Sequence, residues 1–209
     1  LDCVYADAQQ PLLQFAVGWM RELTGFDRVM AYRFRQDDSG DVVAESVRED
    51  WPPYRGMRYP AGDIPAQARR LYVLNTLRLI ADVDSTPVPL LASGELRPLD
   101  LSHSVLRAVS PVHIEYLRNM GVQASMSVSI VVNGRLWGLL ACHHGKPRRV
   151  PYSLRMACDV FAQVLSASVQ LFEARANAEL SARAADARAA LMESMATEDD
   201  LLAALHAHA

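Results

Sequence analysis

The sequence predicts an α+β fold in which an antiparallel sheet is covered by helices and a long helix closes the chain. Three observations carry this. Alternating apolar segments come in pairs joined by short, turn-rich breaks, as in antiparallel strands. Helical periodicity is confined to the stretches before, between and after those pairs. No strand-helix-strand repeat of the parallel-sheet kind is visible, so strands and helices are segregated.

From Gln10 to Leu23 the apolar residues Leu12, Leu13, Ala16, Val17, Trp19, Met20 and Leu23 recur at three and four, one helical face, and Gly25 is a suitable stop. "DRVMAYRF" then alternates, with Met30, Tyr32 and Phe34 on one side. "QDDSGD" is a turn and "VVAES" a second strand. "WPPYRGMRYPAGDIP" reads as loop, because its prolines and glycines leave no room for a ladder or a helix interior. A helix is expected from Asp63 as N-cap, with Pro65 in its first turn, to about Leu74. "RLIAD" is a short strand candidate, and Pro111 to Asn119 a second short helix capped by Ser110. "SMSVSIVVNGRLWGLLACHH" holds the clearest local signal, two alternating strands about an Asn-Gly turn. Everything from about Ser153 onward reads as helix. Its last part is rich in Ala, Glu and Arg, with too few large apolar side chains for a core of its own.

The totals exclude several classes. With 209 residues the chain can hold one ordinary domain and some extra structure. Its 21 basic and 24 acidic residues, net charge -3, are not the footprint of a nucleic-acid binder. Apolar runs are broken well short of the ~20 residues that a bilayer span needs, so no membrane segment is expected. The N-terminus has no secretory pattern and no initiator Met, which reads as a piece of something longer. Cys3, Cys142 and Cys158 form an odd set without CxxC spacing; a reducing cytoplasm suits them better than a disulfide framework or a zinc ribbon.

Several polar residues stand in unusual places. Ser125, Ser127 and Ser129 share one face of a strand whose other face is Met126, Val128 and Ile130, and a row of hydroxyls needs solvent or a polar ligand. The partner strand ends in "CHHG". A two-residue turn puts His143 on the face opposite the serines, and a three-residue loop with a bulge puts it on the same face; the pattern allows both. His113 and Tyr116 share a helix face. Cys142, His143 and His144 alternate faces, a poor arrangement for one metal ion. No nucleophile elbow, P-loop or GxGxxG is present, so catalysis by this chain is not expected. Asp63, Tyr72, Arg78, Arg107, Ser110, His113, Ser125, Ser127 and His143 together suit one pocket. Its two arginines match ligand carboxylates, and its apolar and aromatic neighbours match a large flat body.

Three stretches, "PAGDIPAQARRLY", "LRAVSPVHIEYLRNMGV" and "SMSVSIVVNGRLWGLLACHH", together resemble the bilin-binding GAF domain of phytochromes, most closely that of bacterial phytochromes that use biliverdin. The resemblance covers about residues 7 to 173; residues 174 to 209 read as a helical linker and the start of a PHY domain. It implies a sheet with helices on both sides and a red/far-red photoreceptor whose cofactor is a linear tetrapyrrole. It also implies partners: a second copy joined through the terminal helices, and an output domain. By the same resemblance the Asp63 carbonyl and the His113 imidazole hold the pyrrole nitrogens, while Ile64 and Pro65 pack on the rings. Arg78 and Arg107 pair with the propionates beside Tyr72, Ser110, Ser125 and Ser127. His143 bonds the D-ring carbonyl, and Tyr32, Tyr59 and Tyr116 cage that ring. Two positions depart from the family: Gly62 where Ser is usual, and Val112 where plant and cyanobacterial members carry the bilin-linking Cys. Bacterial members use a Cys in an N-terminal extension that these residues do not include. Non-covalent binding is therefore expected, or, as the alternative, a pigment-free GAF interaction module.

Overall fold

The computed structural model describes residues 2–91, 93–94, 99–105 and 107–197. The stretch 198–209, part of the expected PHY segment, lies outside the described residues, as does the side chain of Cys3.

Helix α1 (Asp2–Thr24) leads into strands β1 (Arg28–Phe34), β2 (Gly40–Val47) and the two-residue β3 (Arg58–Tyr59). A 3-10 turn at Ala61–Asp63 precedes α2 (Ala66–Leu74) and β4 (Leu77–Ile80). After a long irregular segment come α3 (Pro111–Asn119), β5 (Ala124–Val132), β6 (Arg135–His144) and α4 (Tyr152–Thr197). The six strands form one antiparallel sheet in the order β3-β2-β1-β6-β5-β4. The two central strands, β1 and β6, are thus the first and the last of the chain.

One face of the sheet packs on α1 and α4. Leu13, Ala16, Val17 and Met20 of α1 meet Val29, Ala31, Met126, Val128, Ile130, Leu140 and Cys142 of the strands, with Cys158, Leu165 and Val169 of α4 completing the core. Trp19 stacks on Phe161 at 4.3 Å between ring centroids, joining the two helices. Gln10 and Gln14 donate side-chain hydrogen bonds to the carbonyls of Val43 and Glu45, so α1 is registered on β2 by polar as well as apolar contacts. The other face meets α2 and the loops, and α3 docks at the β4 edge through Leu117, which packs with Val83 and Val122. Helices thus lie on both sides of the sheet.

Helix α1 begins eight residues before the apolar stripe does, with Pro11 inside it. Proline removes one donor only, and the preceding turns are made of residues without a stripe for periodicity to detect. The expected Asp63 cap is corrected: α2 starts at Ala66 behind Pro65, and no side chain caps it. Asp63 belongs to the preceding 3-10 turn, where its carboxylate is left for other contacts. The loop expected from Trp51 to Pro65 contains β3 as well, because Tyr59 pairs with Gly40 and Arg58 with Asp41 at the sheet edge. Ser110 does precede α3, but its hydroxyl makes no capping bond. Helix α4 runs unbroken for 46 residues, and a 2.6 Å bond donated by Trp137 Nε1 to Glu173 ties it to the sheet.

Candidate pocket on the sheet face

The register of the central hairpin decides which side chains meet. Asn133 and Gly134 have φ of 51° and 73°, the left-handed pair of a type I′ turn. That two-residue turn pairs Val132 with Arg135 and Val131 with Leu136, and the pairing then shifts, so that Ile130 faces Gly138. The extra residue is Trp137. This bulge, inside the strand and not in the loop, brings His143 opposite Ser125 and onto the serine face.

The result is a set of rows across four strands. Arg28, His143, Ser125 and Ile80 form one row, and Met30, Ala141, Ser127 and Arg78 the next. Tyr32, Leu139 and Ser129 form the third. Met30, Tyr32, Val42 and Leu139 make the apolar floor, against which Tyr54, Tyr59, Ile64 and Tyr72 pack from the loops and α2.

At one end of this floor the phenols gather. Tyr32 and Tyr59 lie 6.1 Å apart between centroids, and Tyr116 Oη donates to the Asp63 carboxylate at 3.4 Å. Burial, with the Asp63 charge next, pushes the Tyr32 phenol up to about 12 and raises Tyr116 further. Burial also raises Tyr59. These phenols stay protonated and can donate. His113 lies parallel to Tyr116 with centroids 6.3 Å apart and planes 10° apart, and burial lowers its pKa. His143 is buried more deeply, and desolvation, helped by the Arg28 and His113 charges, pushes it down to about 3. Both imidazoles are neutral at pH 7, each with one donor and one acceptor nitrogen.

At the other end stand the arginines. Arg78 is opposite Ser127, its guanidinium 5.8 Å from the Tyr72 ring centroid, and it donates to the Leu71 carbonyl at 3.2 Å. Burial first, and the nearby Arg107 charge second, lower its pKa. Two guanidiniums are thus held within electrostatic reach of each other, and Arg107 also lies within reach of the Asp100 carboxylate, whose pKa it helps to lower after the Ser102 hydrogen bonds. Arg78 Nε and His143 Nδ1 are buried without a hydrogen-bond partner. Orphaned polar atoms of this kind, on strands β4 and β6 of the face that carries the apolar floor, fit a flat ligand with both anionic and neutral polar groups.

Of the residues expected in one pocket, Tyr32, Tyr59, Ile64, Tyr72, Arg78, Ser125, Ser127 and His143 share the sheet face or pack on it. Asp63, His113 and Tyr116 join them from the 3-10 turn and α3. Arg107 is half-buried on the α3 side, whereas Pro65 and Ser110 are exposed at the starts of α2 and α3. The sequence reading omits Arg28 and Glu45, a buried ion pair on this face. Arg28 was detectable, since it has the same strand parity as Met30 and Tyr32. Glu45 was hidden by the bulge in β2 between the pairs Ala31–Ala44 and Tyr32–Val42. Ser129 is tied inward, its hydroxyl donating to the Tyr72 carbonyl at 2.7 Å. Cys142 and Cys158 are buried on the helix side, with burial pushing the Cys142 thiol far up and the Cys158 thiol to about 11. Among the described residues no group of three or more His, Cys, Asp or Glu could hold a metal ion, and no helix is long and apolar enough to cross a membrane.

The GAF domain family profile matches residues 10–170. A bacteriophytochrome of Pseudomonas aeruginosa is 56% identical over 197 residues, which is 93% of this chain and 27% of that protein. Cyanobacterial phytochrome B of Nostoc sp. is 47% identical over 192 residues, 90% of this chain and 26% of that one. The chain spans about a quarter of the length of these curated relatives. Among solved structures, the photosensory core module of Stigmatella aurantiaca phytochrome matches with a TM-score of 0.80 at 46% identity, over 94% of this chain and 39% of that one. The chromophore-binding domain of Stigmatella aurantiaca phytochrome P1 matches with a TM-score of 0.74 at 49% identity, over 76% and 53%.

Proposed function

The chain belongs to the GAF domain family, and from that premise, with phytochromes as its relatives, we propose that it is a red/far-red photoreceptor module that holds biliverdin non-covalently in the pocket on the sheet face. The bilin supplies light absorption and a double-bond isomerisation when bound. The residues do the rest. Arg78 and Arg107, with Tyr72, Ser110, Ser125 and Ser127, take its propionates. Asp63 and His113 meet the pyrrole nitrogens, Ile64 and Pro65 the ring faces, and Tyr32, Tyr59, Tyr116 and His143 the terminal ring.

The observation that carries this reading is the pair Arg78 and Arg107, two cations brought near each other with the Arg78 Nε left unbonded. Asp100 lies within electrostatic reach of Arg107, while ligand carboxylates would offset the repulsion at the half-buried Arg78. The absence of covalent attachment rests on the two described cysteines, which are on the opposite side of the sheet with raised thiol pKa values, and on the exposed Val112 at the start of α3. Partners follow from α4: Val160, Val164 and Leu171 are exposed while Phe161 and Leu165 face the core, so the outer stripe of the helix is free for a second copy. In the full-length receptor the same helix leads toward an output domain.

The test is the visible spectrum of the purified chain mixed with biliverdin, followed by acid-urea denaturation and gel filtration. A far-red band lost on denaturation is the expected result. A band that survives denaturation would implicate a cysteine and overturn the non-covalent linkage. No band would overturn the photoreceptor reading in favour of a GAF interaction module built on the exposed α4 stripe.

A further inference from the structure

The turn that presents Asp63 and Ile64 to the pocket is held by a residue one turn into the following helix. Helix α2 lacks a side-chain cap, and its N-cap, Pro65, has no N–H. Arg69 does not cap the helix but ties down the turn in front of it. One terminal nitrogen of its guanidinium donates to the Ile64 carbonyl at 2.7 Å, and the other donates to the Asp38 carboxylate, also at 2.7 Å. Asp38 sits in the β1–β2 turn with φ of 65°, a left-handed position that Asp tolerates better than most residues. That turn closes the hairpin carrying Tyr32, whose phenol senses both the Asp63 and the Arg69 charge.

We propose that Arg69 is a positioning residue for the ligand pocket: it fixes the peptide plane after Ile64 and locks the Asp63–Pro65 turn to the hairpin that carries Tyr32. The proposal rests on the bilin reading for the identity of the ligand. Two partners in different directions need the planar fork of Arg. Lys, with a single nitrogen and freely rotating donors, does not offer the two separate donor nitrogens in fixed directions that Arg69 uses here. The Arg69 side chain is 17% exposed and Asp38 is 58% exposed, so the pair adds little to global stability. Its effect is local.

The experiment compares the wild-type chain with Arg69→Lys, Arg69→Gln and Asp38→Asn in two measurements. The first is amide hydrogen exchange of the ligand-free chain over residues 60–66, where Asp63 N–H donates to the Pro60 carbonyl at 3.1 Å. The second is the absorption band and release rate of added biliverdin. Expected are exchange about tenfold faster over 60–66 in Arg69→Gln and Arg69→Lys, the size set by loss of one charged hydrogen bond, with a shifted band and faster pigment release. Asp38→Asn should show the same direction more weakly. Wild-type exchange in the Arg69 variants overturns the proposal. So does faster exchange with an unchanged band and release rate, which makes Arg69 structural only. A wild-type chain that takes up no pigment overturns the bilin reading and the ligand arm with it, and the exchange measurement then decides alone whether Arg69 sets the turn.

Discussion

Arg28 and Glu45 stand 2.9 Å apart, Nε to Oε1, with side chains only 1% and 2% exposed, on the sheet face that also carries His143. Neither charge is left to the pair alone. The second Glu45 oxygen accepts the backbone N–H groups of Tyr54 and Arg55 at 2.8 and 3.0 Å. The Arg28 guanidinium lies 3.7 Å from the Tyr54 ring centroid and 5.0 Å from that of Trp51, and it donates to the Pro52 carbonyl. An ion pair between two strands therefore fixes the start of the loop that runs on to Tyr59 and Asp63. Fixing that loop is a specific use for charges whose desolvation is otherwise expensive.

Breaking this pair from one side strands a buried charge. Glu45→Gln should lower the unfolding free energy by about 3–5 kcal/mol in urea titrations, and the double variant Arg28→Met, Glu45→Leu should lose less than the sum of the two single changes. A loss under about 1 kcal/mol, the range of surface pairs, would show that the buried charges are not what holds the loop.

Gly40 is a packing requirement of Tyr32. A Cβ at Gly40 would fall 2.0 Å from Tyr32 Cζ and 2.2 Å from its hydroxyl oxygen. The ring cannot simply swing away, since Phe34 meets it edge-on at 5.2 Å and Tyr59 lies on its other flank. Gly40→Ala should destabilise the chain by about 1–3 kcal/mol, and adding Tyr32→Ala should recover part of that loss. Thermal unfolding of the single and double variants checks it. An additive double variant would contradict the contact.

Most of the scaffold was legible because its signals are local. The Asn133-Gly134 turn, the alternation of Ser125 to Ile130 and the stripe from Leu12 to Leu23 each need only their neighbours in sequence to be read. What was not legible depends on events between strands. The bulge at Trp137 sets the face of His143 and the bulge in β2 sets that of Glu45; the first is marked only by the isolated Gly138 beside it, and the second by no adjacent Gly or Pro. The Asp63 cap failed for a more local reason: the residue type suits a cap, but Pro65 occupies the cap position and Asp63 is held two residues ahead of it in a 3-10 turn. Most of the site residues came through the resemblance of three motifs, because their convergence joins residues as far apart in sequence as Tyr32 and His143.

Stability should fall in mild acid because of histidine. His143 is held at about 3 in the folded chain, against 6.5 for an ordinary imidazole, chiefly by desolvation. Unfolded chains take up this proton near 6.5 and the folded chain refuses it, so its contribution is fully present above that pH and is lost progressively as pH falls toward 3. His113 and His144 shift in the same direction, mainly through burial, and steepen the loss. Between about pH 6.5 and 4.5, before carboxylates titrate, each such histidine adds a slope of at most about 1.4 kcal/mol per pH unit. Urea titrations at several pH values should show this decline, shallower by one proton in His143→Asn. An identical slope in that variant would place the titration elsewhere.

Arg107 should matter to the ligand and not to the fold. Its charge opposes that of the half-buried Arg78 but is attracted by Asp100, two effects of opposite sign, so Arg107→Gln should leave the stability of the ligand-free chain within about 1 kcal/mol of wild type. The same change should weaken biliverdin binding by about 10- to 100-fold, as expected when a carboxylate loses a charged partner. Titration followed by visible absorption gives the affinity and calorimetry gives the stability. An unchanged affinity would remove Arg107 from the site.

One hydrogen bond joins the arginine end of the pocket to the long helix. Thr76 Oγ1 donates to Asp159 Oδ1 of α4 at 2.6 Å, while the Thr76 carbonyl accepts from Ser129 N at 2.8 Å, and Arg78 follows two residues later on β4. A shift of β4 on binding carboxylates would thus reach α4 at Asp159, which also accepts from Gln163 at 3.0 Å. Thr76→Val keeps the shape and removes the donor, at a cost of about 1–2 kcal/mol. Biliverdin should then still bind with its wild-type band, while the extra amide protection that it confers on residues 155–163 should shrink. Equal ligand-induced protection in both chains would mean that β5 carries the coupling instead, where Val131 N donates to Ser166 Oγ at 3.1 Å.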